Sequence, residues 1–180
     1  MPRYAAFFGS INVGGNRITM ADLRWAFERE GFENVETVVA SGNVLFGFEE
    51  RPSDGLEDLF AHMMLERFDI SSFVAVRTRG EVAQAIHGNP FAADGAEDRV
   101  HTHFLGGQPG AAQFADLIAA YAGRGPERLA PGDRALYIDY VEGAGNSRLT
   151  GPFIERRLGC RGTARNLRSL WRILDKMDES

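Results

Sequence analysis

The residues best suited to binding a ligand lie in a glycine-rich segment near the amino terminus. Gly9 to Ile18 connects a predicted strand to a predicted helix, and its ten residues exceed the roughly 2 to 6 usual in such connections. Its glycines would let backbone N–H groups point at an anion near the start of the helix. The spacing from Gly9 to Gly14 approaches that of a Walker phosphate loop, but Gly15 and Asn16 stand where the lysine and the hydroxyl residue belong. The pattern predicts anion binding without ATPase chemistry, and the alternative is a solvent-exposed loop whose glycines adopt positive φ.

A second group of polar residues is predicted to lie beside this loop. The runs 35–39 and 43–48 favour two strands joined by a turn at 40–42. In a split βαβ arrangement the first two strands are parallel, so the loop after the first and the turn after the second leave the sheet at the same end. We therefore predict a binding site for a phosphate or another small anion, formed by Asn12, Gly14, Gly15, Asn16, Arg17, Ser41 and Asn43.

A basic stripe near the carboxyl terminus is the second candidate site. With about 100° between successive helical residues, one face of the last predicted helix would carry Arg165, Arg168, Arg172 and Lys176. Because arginine grips phosphate bidentately, the stripe predicts contact with a phosphate-bearing ligand or a nucleic-acid backbone. Exposed aromatic residues that would stack bases do not interleave with it, so support for nucleic-acid binding is weak. The alternative is an ordinary solvated face beside a buried apolar stripe.

The charge of the chain is unevenly distributed. Its 180 residues include 20 basic and 25 acidic side chains, and 44% are hydrophobic, a composition typical of a soluble globular protein. A net charge of −5 argues against bulk attraction to nucleic acid or anionic lipid. Residues 148–172, however, contain seven arginines and one acid, Glu155. This segment could contact a polyanion, the acidic first half of the chain, or a neighbouring subunit.

Other side chains give little support for catalysis or metal binding. His101 and His103 fall on one face of a predicted strand, opposite an apparent buried face at 100, 102 and 104. A third ligand at motif spacing is absent, so we expect neither a metal site nor a cofactor. Ser41 lies outside any Gly-x-Ser-x-Gly motif, and an arginine beside Cys160 would lower the pKa of that thiol only if it were exposed. No catalytic residue can be assigned, and enzymatic activity stays open.

The single cysteine and the amino-terminal sequence bear on location. Cys160 can form neither an internal disulfide nor a cysteine-based zinc site, which indicates a reducing compartment. The first apolar run is too short for a signal peptide, and no stretch approaches the roughly 20 residues that span a bilayer. We therefore expect a cytoplasmic protein that does not enter a membrane.

The elements that must position these residues follow the order β-α-β-β-α-β in the first half. Strands are predicted at 4–8, 35–39, 43–48 and 73–76, and helices after Thr19, across 56–68, and after the capping box of Thr78 and Glu81. This order is that of the ferredoxin-like split βαβ motif, here with an appended helix. Residues 1–88 are therefore predicted to form one domain, and the aperiodic residues 89–98 a linker.

Residues 99–180 are predicted to repeat the same order less regularly. A strand at 100–105 precedes a helix around 114–121, a hairpin that turns at 131–133, and a helix ended by Gly159. A short edge strand at 161–165 and a basic amphipathic helix from about Asn166 to Met177 would complete the repeat. We predict an α+β protein of two small ferredoxin-like (α/β plait) domains.

Several short motifs are similar to those of a known family. They are Ile-Asn-Val-Gly-Gly at 11–15, Met-Ala-Asp-Leu-Arg at 20–24, Ser-Gly-Asn-Val at 41–44, Gly-Asn-Pro-Phe at 88–91, Ile-Glu-Arg at 154–156 and Thr-Ala-Arg-Asn at 163–166. Over nearly its whole length the chain resembles the bacterial family catalogued as domain of unknown function 1697. The resemblance implies two plait-like α+β domains and no established activity. The chain differs from the family where Gly9-Ser10 replaces Arg-Gly, Ala40 replaces Gln and Leu167 replaces Trp.

Taken together, these patterns predict a binding protein for a phosphate-bearing small molecule or a nucleic-acid backbone. The main alternative is a protein-interaction or homodimerising module that uses its sheet faces and edges. The third possibility is an enzyme whose site lies at the Gly14 and Ser41 end of the first domain.

Overall fold

Two compact units make up the described part of the chain. The computed structural model describes residues 1–9, 18–39 and 42–179. Residues 1–82 and 172–180 form unit 1, and residues 83–171 form unit 2. The limits between the units fall within two helices, α3 (Arg79–His87) and α6 (Leu167–Asp178). The domain limits 1–88, 89–98 and 99–180 remain a prediction.

Unit 1 is a four-stranded antiparallel sheet with two helices packed on one face. Its elements are β1 (Arg3–Gly9), α1 (Met20–Arg29), β2 (Glu33–Thr37), β3 (Asn43–Gly47), α2 (Ser53–Phe68) and β4 (Phe73–Thr78), with strand order β2-β3-β1-β4. Alternate residues of β1, among them Tyr4, Ala6 and Phe8, enter the core with the helices. The rings of Phe27 and Phe60 stack there with their centroids 4.4 Å apart. This core fixes the sheet end from which the connection after β1 leaves.

The predicted start signals of two helices are confirmed. The Thr19 hydroxyl accepts a hydrogen bond from the backbone N–H of Asp22 at 3.0 Å, and the Asp22 carboxylate accepts one from the backbone N–H of Thr19 at 3.1 Å. Thr78 and Glu81 form the same reciprocal pair at the start of α3, at 3.1 and 2.9 Å. Each pair satisfies donors that the first turn of a helix leaves without partners.

Unit 2 has the same order of elements and its own core. It contains β5 (Val100–Leu105), α4 (Ala111–Tyr121), β6 (Arg128–Gly132), β7 (Ala135–Asp139), α5 (Gly151–Leu158) and β8 (Gly162–Asn166), with strand order β6-β7-β5-β8. Leu105, Phe114 and Ile154 lie in the core that joins this sheet to α4 and α5. The predicted edge strand is confirmed as β8, which pairs antiparallel with β5.

The second hairpin turns later than predicted. Pro131 and Gly132 belong to β6, opposite Leu136 and Ala135 of β7, so the turn is the pair Asp133 and Arg134. Arg134 adopts a φ of 48°, the left-handed conformation that two-residue hairpins need. The proline is tolerated because β6 is an edge strand, where its missing N–H interrupts no second ladder.

Candidate ligand-binding groove

The first predicted site lies mostly outside the described residues: this holds for Asn12, Gly14, Gly15, Asn16, Arg17 and Ser41. The chain segments on either side of it are described. Asn43, its seventh member, is buried at the start of β3 and opposite Phe7. The backbone N–H of Phe8 donates to the Gly42 carbonyl at 2.8 Å, and Gly9 pairs with Phe73. The end of β1, the start of β3 and the start of β4 therefore meet at one end of the sheet.

The amino terminus of α1, which follows the glycine-rich segment, already holds an acidic side chain. The Asp22 carboxylate caps the first turn of α1, and the hydrogen bond from the Thr19 backbone, followed by that from its hydroxyl, lowers the Asp22 pKa. A carboxylate in the first turn uses the positive end of the helix dipole. A bound anion would therefore meet a negative charge at the start of α1, which weakens this terminus as the centre of an anion site.

A groove of about 480 Å³ borders the same sheet end in unit 1. The end of β2 and the residues after it form one wall, and the last turns of α6 form the other: Glu36, Thr37, Val38, Val39, Arg172, Asp175, Lys176 and Glu179. The backbone N–H of Val38 donates to the Asn43 carbonyl at 3.1 Å, which ties this wall to the start of β3. Val39 has a φ of 67° and is 44% exposed. A β-branched residue is rarely found in this conformation, and such backbone strain concentrates at functional sites.

The charges in the groove are only partly paired. The Lys176 Nζ lies 3.3 Å from Glu179 and 3.4 Å from Glu36, and these partners, Glu179 first, raise the Lys176 pKa. Glu36 also forms an ion pair with Arg3, whose Nη2 lies 3.4 Å from the Glu36 carboxylate. Arg172 and Asp175 are exposed, and neither forms an ion pair with any residue in the described ranges. The groove therefore offers one guanidinium and one carboxylate to an incoming molecule.

Arg165 does not belong to the helical basic stripe, so this part of the prediction is wrong. It lies in β8, half-buried, where its Nη1 donates to the Thr163 hydroxyl at 2.8 Å and the Ala164 carbonyl at 2.9 Å. Burial lowers its pKa to about 10. The helix begins one residue after Asn166, whose side-chain oxygen accepts from the backbone N–H of Ser169 at 2.9 Å. An asparagine N-cap thus separates the strand from the helix.

The three remaining basic residues of the stripe are exposed on α6, but acidic residues share their face. Arg168 lies in unit 2, whereas Arg172 and Lys176 line the groove in unit 1. Asp175 and Glu179 line the same groove. Their spacing of three residues from Arg172 and Lys176 was visible in the sequence. No pattern in the sequence indicated that the end of β2 forms the opposite wall of the groove, because only the tertiary fold brings β2 close to α6.

The two histidines of β5 are less accessible than the strand pattern predicts. Both faces of β5 are buried, so His103 is only 7% exposed although it lies opposite the expected buried face. Neither of its ring nitrogens has a hydrogen-bond partner among the residues that the structure describes, and burial lowers its pKa to about 4. The His101 Nδ1 lies 3.0 Å from the Arg99 carbonyl, and burial also lowers the His101 pKa. Within 1–9, 18–39 and 42–179, no group of three or more His, Cys, Asp or Glu side chains could hold a metal ion.

Cys160 is not an activated thiol. It is half-buried after α5, and burial raises its pKa. A thiol with a raised pKa carries less of the nucleophilic thiolate at neutral pH. The prediction that an adjacent arginine would lower the Cys160 pKa required an exposed thiol, and this condition is not met.

Comparison with known proteins agrees with this architecture and leaves the function open. The fold matches that of the conserved bacterial protein SP0830 from Streptococcus pneumoniae with a TM-score of 0.70, over 98% of each chain at 22% identity. That likeness extends to the fold alone. No curated protein shows significant sequence similarity to the chain. Among the described residues, no helix is long and apolar enough to cross a membrane. The model of the family described as "Protein of unknown function (DUF1697)" matches residues 1–137, and the chain therefore belongs to this family.

Proposed function

We propose that this protein binds a small phosphate-bearing molecule in the groove of unit 1. The observation that carries the proposal is Arg172, an exposed guanidinium without an ion-pair partner among the described residues, on the wall of a groove of about 480 Å³. Small-molecule sites typically measure roughly 300–1,000 Å³. A guanidinium offers phosphate a bidentate, charge-assisted hydrogen bond, which makes Arg172 the principal phosphate ligand.

Lys176 supports the same site despite its carboxylate partners. Its Nζ and both partner carboxylates are at least partly exposed, and ion pairs between exposed groups contribute little to stability. A phosphate with one or two negative charges can therefore replace Glu179 on Lys176 at little cost. The two cations of the α6 wall then contact one phosphate group.

The groove favours a small molecule over a nucleic-acid backbone. Nucleic-acid binding uses several cations along an extended surface, whereas the groove holds two cations among three carboxylates. The net charge of −5 disfavours a polyanion as well. Binding of a short RNA would be the outcome expected if the whole basic stripe acted together.

Isothermal titration with glucose 6-phosphate, AMP, inorganic phosphate and a short RNA tests this function. Arg172→Gln removes a charge-assisted hydrogen bond worth about 1.5–3 kcal/mol, so we expect about 10- to 150-fold weaker binding of the small phosphates. Arg168→Gln is the matched control, because Arg168 is exposed on the same helix but does not line the groove. Equal losses in both variants would instead support the stripe, and the absence of binding by all four probes would refute the function.

The finer fold assignment is part of this proposal. Each unit has the element order β-α-β-β-α-β, and the strand orders β2-β3-β1-β4 and β6-β7-β5-β8 support a ferredoxin-like plait. The predicted loop residues remain candidates for further ligand contacts, and the cytoplasm remains the expected location. The reducing environment suggested by the single cysteine supports that location.

A protein-interaction module is the second candidate function, and Trp25 favours it. Its side chain on α1 is 50% exposed, and the guanidinium carbons of Arg29 and Arg67 lie 5.6 and 5.4 Å from its ring centroid. Tryptophan and arginine are the residue types most enriched at interface hot spots. Light scattering over a range of protein concentrations tests self-association. A concentration-independent monomer excludes a homodimer.

A further inference from the structure

We infer that the phosphate-bearing ligand of the unit 1 groove also carries an amine. This inference rests on the proposed function, because it identifies the ligand class of the same site. The groove pairs an available guanidinium, Arg172, with an available carboxylate, Asp175, on one helical wall. A zwitterionic amino-phosphate matches both groups at once.

Arg172 and Asp175 are close in sequence yet do not bind each other. They are three residues apart on α6, the spacing at which opposite charges are neighbours on a helix surface. Both are exposed and both line the groove, but neither has an ion-pair partner within the described ranges. Two opposite, unneutralised charges on one wall present complementary contacts for a molecule that carries both signs.

The charge balance of the groove leads to the same ligand class. The lining residues comprise two cations and three carboxylates, so the groove carries a formal charge of −1 before a ligand arrives. A phosphate that takes Lys176 leaves Glu179 without its cation, whereas Glu36 keeps Arg3. A plain phosphate ester would therefore add negative charge beside uncompensated carboxylates. An ammonium group on the ligand restores the balance by binding Asp175 or Glu179.

The wall formed by the end of β2 suits the uncharged carbon skeleton of such a ligand. Val38 is buried and Val39 is exposed beside the charged wall of α6. These side chains offer an apolar surface to the carbon skeleton that links the phosphate to the amine. A sugar ring or a short aliphatic chain suits a groove of about 480 Å³.

Glucosamine 6-phosphate and glucose 6-phosphate form a matched pair of probes, since an ammonium in one replaces a hydroxyl in the other. We expect isothermal titration to show about 5-fold tighter binding of glucosamine 6-phosphate, the upper range for an exposed ion pair. Asp175→Asn should remove this preference and should tighten the binding of glucose 6-phosphate, because it neutralises a carboxylate in the groove. Asp58→Asn, which neutralises an exposed carboxylate on α2, is the control and should retain the preference.

The outcomes separate this inference from the function on which it rests. Equal affinities for the two probes in the unsubstituted protein would overturn the inference that the ligand carries an amine, and would leave the proposal of phosphate binding intact. An unchanged preference in Asp175→Asn would overturn the assignment of Asp175, unless Glu179→Gln removed it, in which case the amine binds Glu179. Failure of both probes to bind would overturn the proposed function and the inference together. Retained glucose 6-phosphate binding shows directly that a variant is folded.

Discussion

Replacing His103 with leucine should make the protein markedly more resistant to mild acid. His103 lies opposite Leu136 of β7 and Ala164 of β8, and its Nε2 occupies the space where a Cβ on Gly162 would stand. Both ring nitrogens are buried, and neither has a hydrogen-bond partner within the described part of the chain. A leucine of similar volume removes no hydrogen bond and eliminates two unsatisfied polar atoms. At pH 7 we therefore expect His103→Leu to be as stable as the unsubstituted protein or more stable.

The magnitude follows from the protonation of the imidazole. The pKa of His103 is lowered from 6.5 to about 4 in the folded chain, so only the unfolded chain takes up a proton between those values. Stability is therefore fully present above pH 6.5 and is lost as the pH falls toward 4. Linkage gives a loss of about 2 kcal/mol between pH 7 and pH 5 from this group alone. The leucine variant should lack that loss, which corresponds to about 4–8 °C in the unfolding temperature of a chain of this size.

Two measurements test this prediction. Thermal unfolding at pH 7 and pH 5 should show a smaller acid-induced decrease for His103→Leu than for the unsubstituted protein. His62→Gln is the control, because His62 is exposed on α2, 3.2 Å from Glu66, and should leave the decrease unchanged. Proton NMR of the imidazole should place the His103 pKa near 4 in the folded protein. A His103 resonance that titrates near 6.5, or an identical acid response in the leucine variant, would refute the assigned burial.

Two further substitutions test the packing of unit 1. Thr19→Ala removes the N-cap of α1, and we expect a loss of about 1 kcal/mol, or about 2–4 °C, by calorimetry; no loss would show that the cap does not hold this helix. Glu57→Gln alters a buried carboxylate that accepts from Arg77 and from the Val76 backbone N–H, both at 2.8 Å. We expect a loss of about 3 kcal/mol in urea unfolding, against less than 1 kcal/mol for Glu28→Gln in an exposed pair. Equal effects of the two glutamine substitutions would contradict the buried pairing.

Local signals in the sequence were sufficient for most helices and strands. The caps at Thr19 and Thr78 are confirmed because a cap depends on side chains within four residues of one another. The strand β8 shows the opposite case, since Gly162 to Asn166 has little intrinsic strand preference and is ordered by pairing with β5. The edge strand at 161–165 was predicted only from the repeat of the first half, and Arg165 was also counted in the basic stripe because its angular position continues that of the helix, although pairing with β5 places it in a strand.

The family motif at 88–91 is held within unit 2 by hydrogen bonds that no sequence periodicity encodes. The Asn89 side chain donates to the His101 carbonyl at 3.3 Å and accepts from the Phe91 backbone N–H at 2.9 Å. The Phe91 ring lies 4.7 Å from the guanidinium carbon of Arg128. These contacts are all within unit 2, so the motif explains local order rather than ligand binding.

The candidate site could be predicted only in part because its walls come from distant parts of the chain. Arg172 and Lys176 were identified from their helical spacing and do line a groove. Glu36 and Val39 carry no recognisable motif, and their role depends on the packing of β2 against α6 within unit 1. A helical wheel shows which residues share a face, but it cannot show what lies opposite that face.

The two units share the same hydrogen-bonding arrangement where a strand leads into a helix, although the sequences there are not identical. Near the end of β4, the Arg77 Nη1 donates to the Val76 carbonyl at 2.8 Å, and the next residue, Thr78, caps α3. Near the end of β8, the Arg165 Nη1 donates to the Ala164 carbonyl at 2.9 Å, and the next residue, Asn166, caps α6. The chemistry of each strand end is conserved between the units although the residues around it differ.

The two units differ in the lengths of two connections. The connection from β1 to α1 comprises residues 10–19, whereas the equivalent connection from β5 to α4 comprises only 106–110. In unit 1 five residues, 38–42, separate β2 from β3 in the sequence, whereas only residues 133–134 separate β6 from β7 in unit 2. Unit 2 forms its four-stranded sheet without either extension, and connections longer than a fold requires are commonly functional. Both longer connections belong to unit 1, and the one between β2 and β3 supplies Val38 and Val39 to the groove. The asymmetry therefore supports ligand binding in unit 1 independently of the charges on α6.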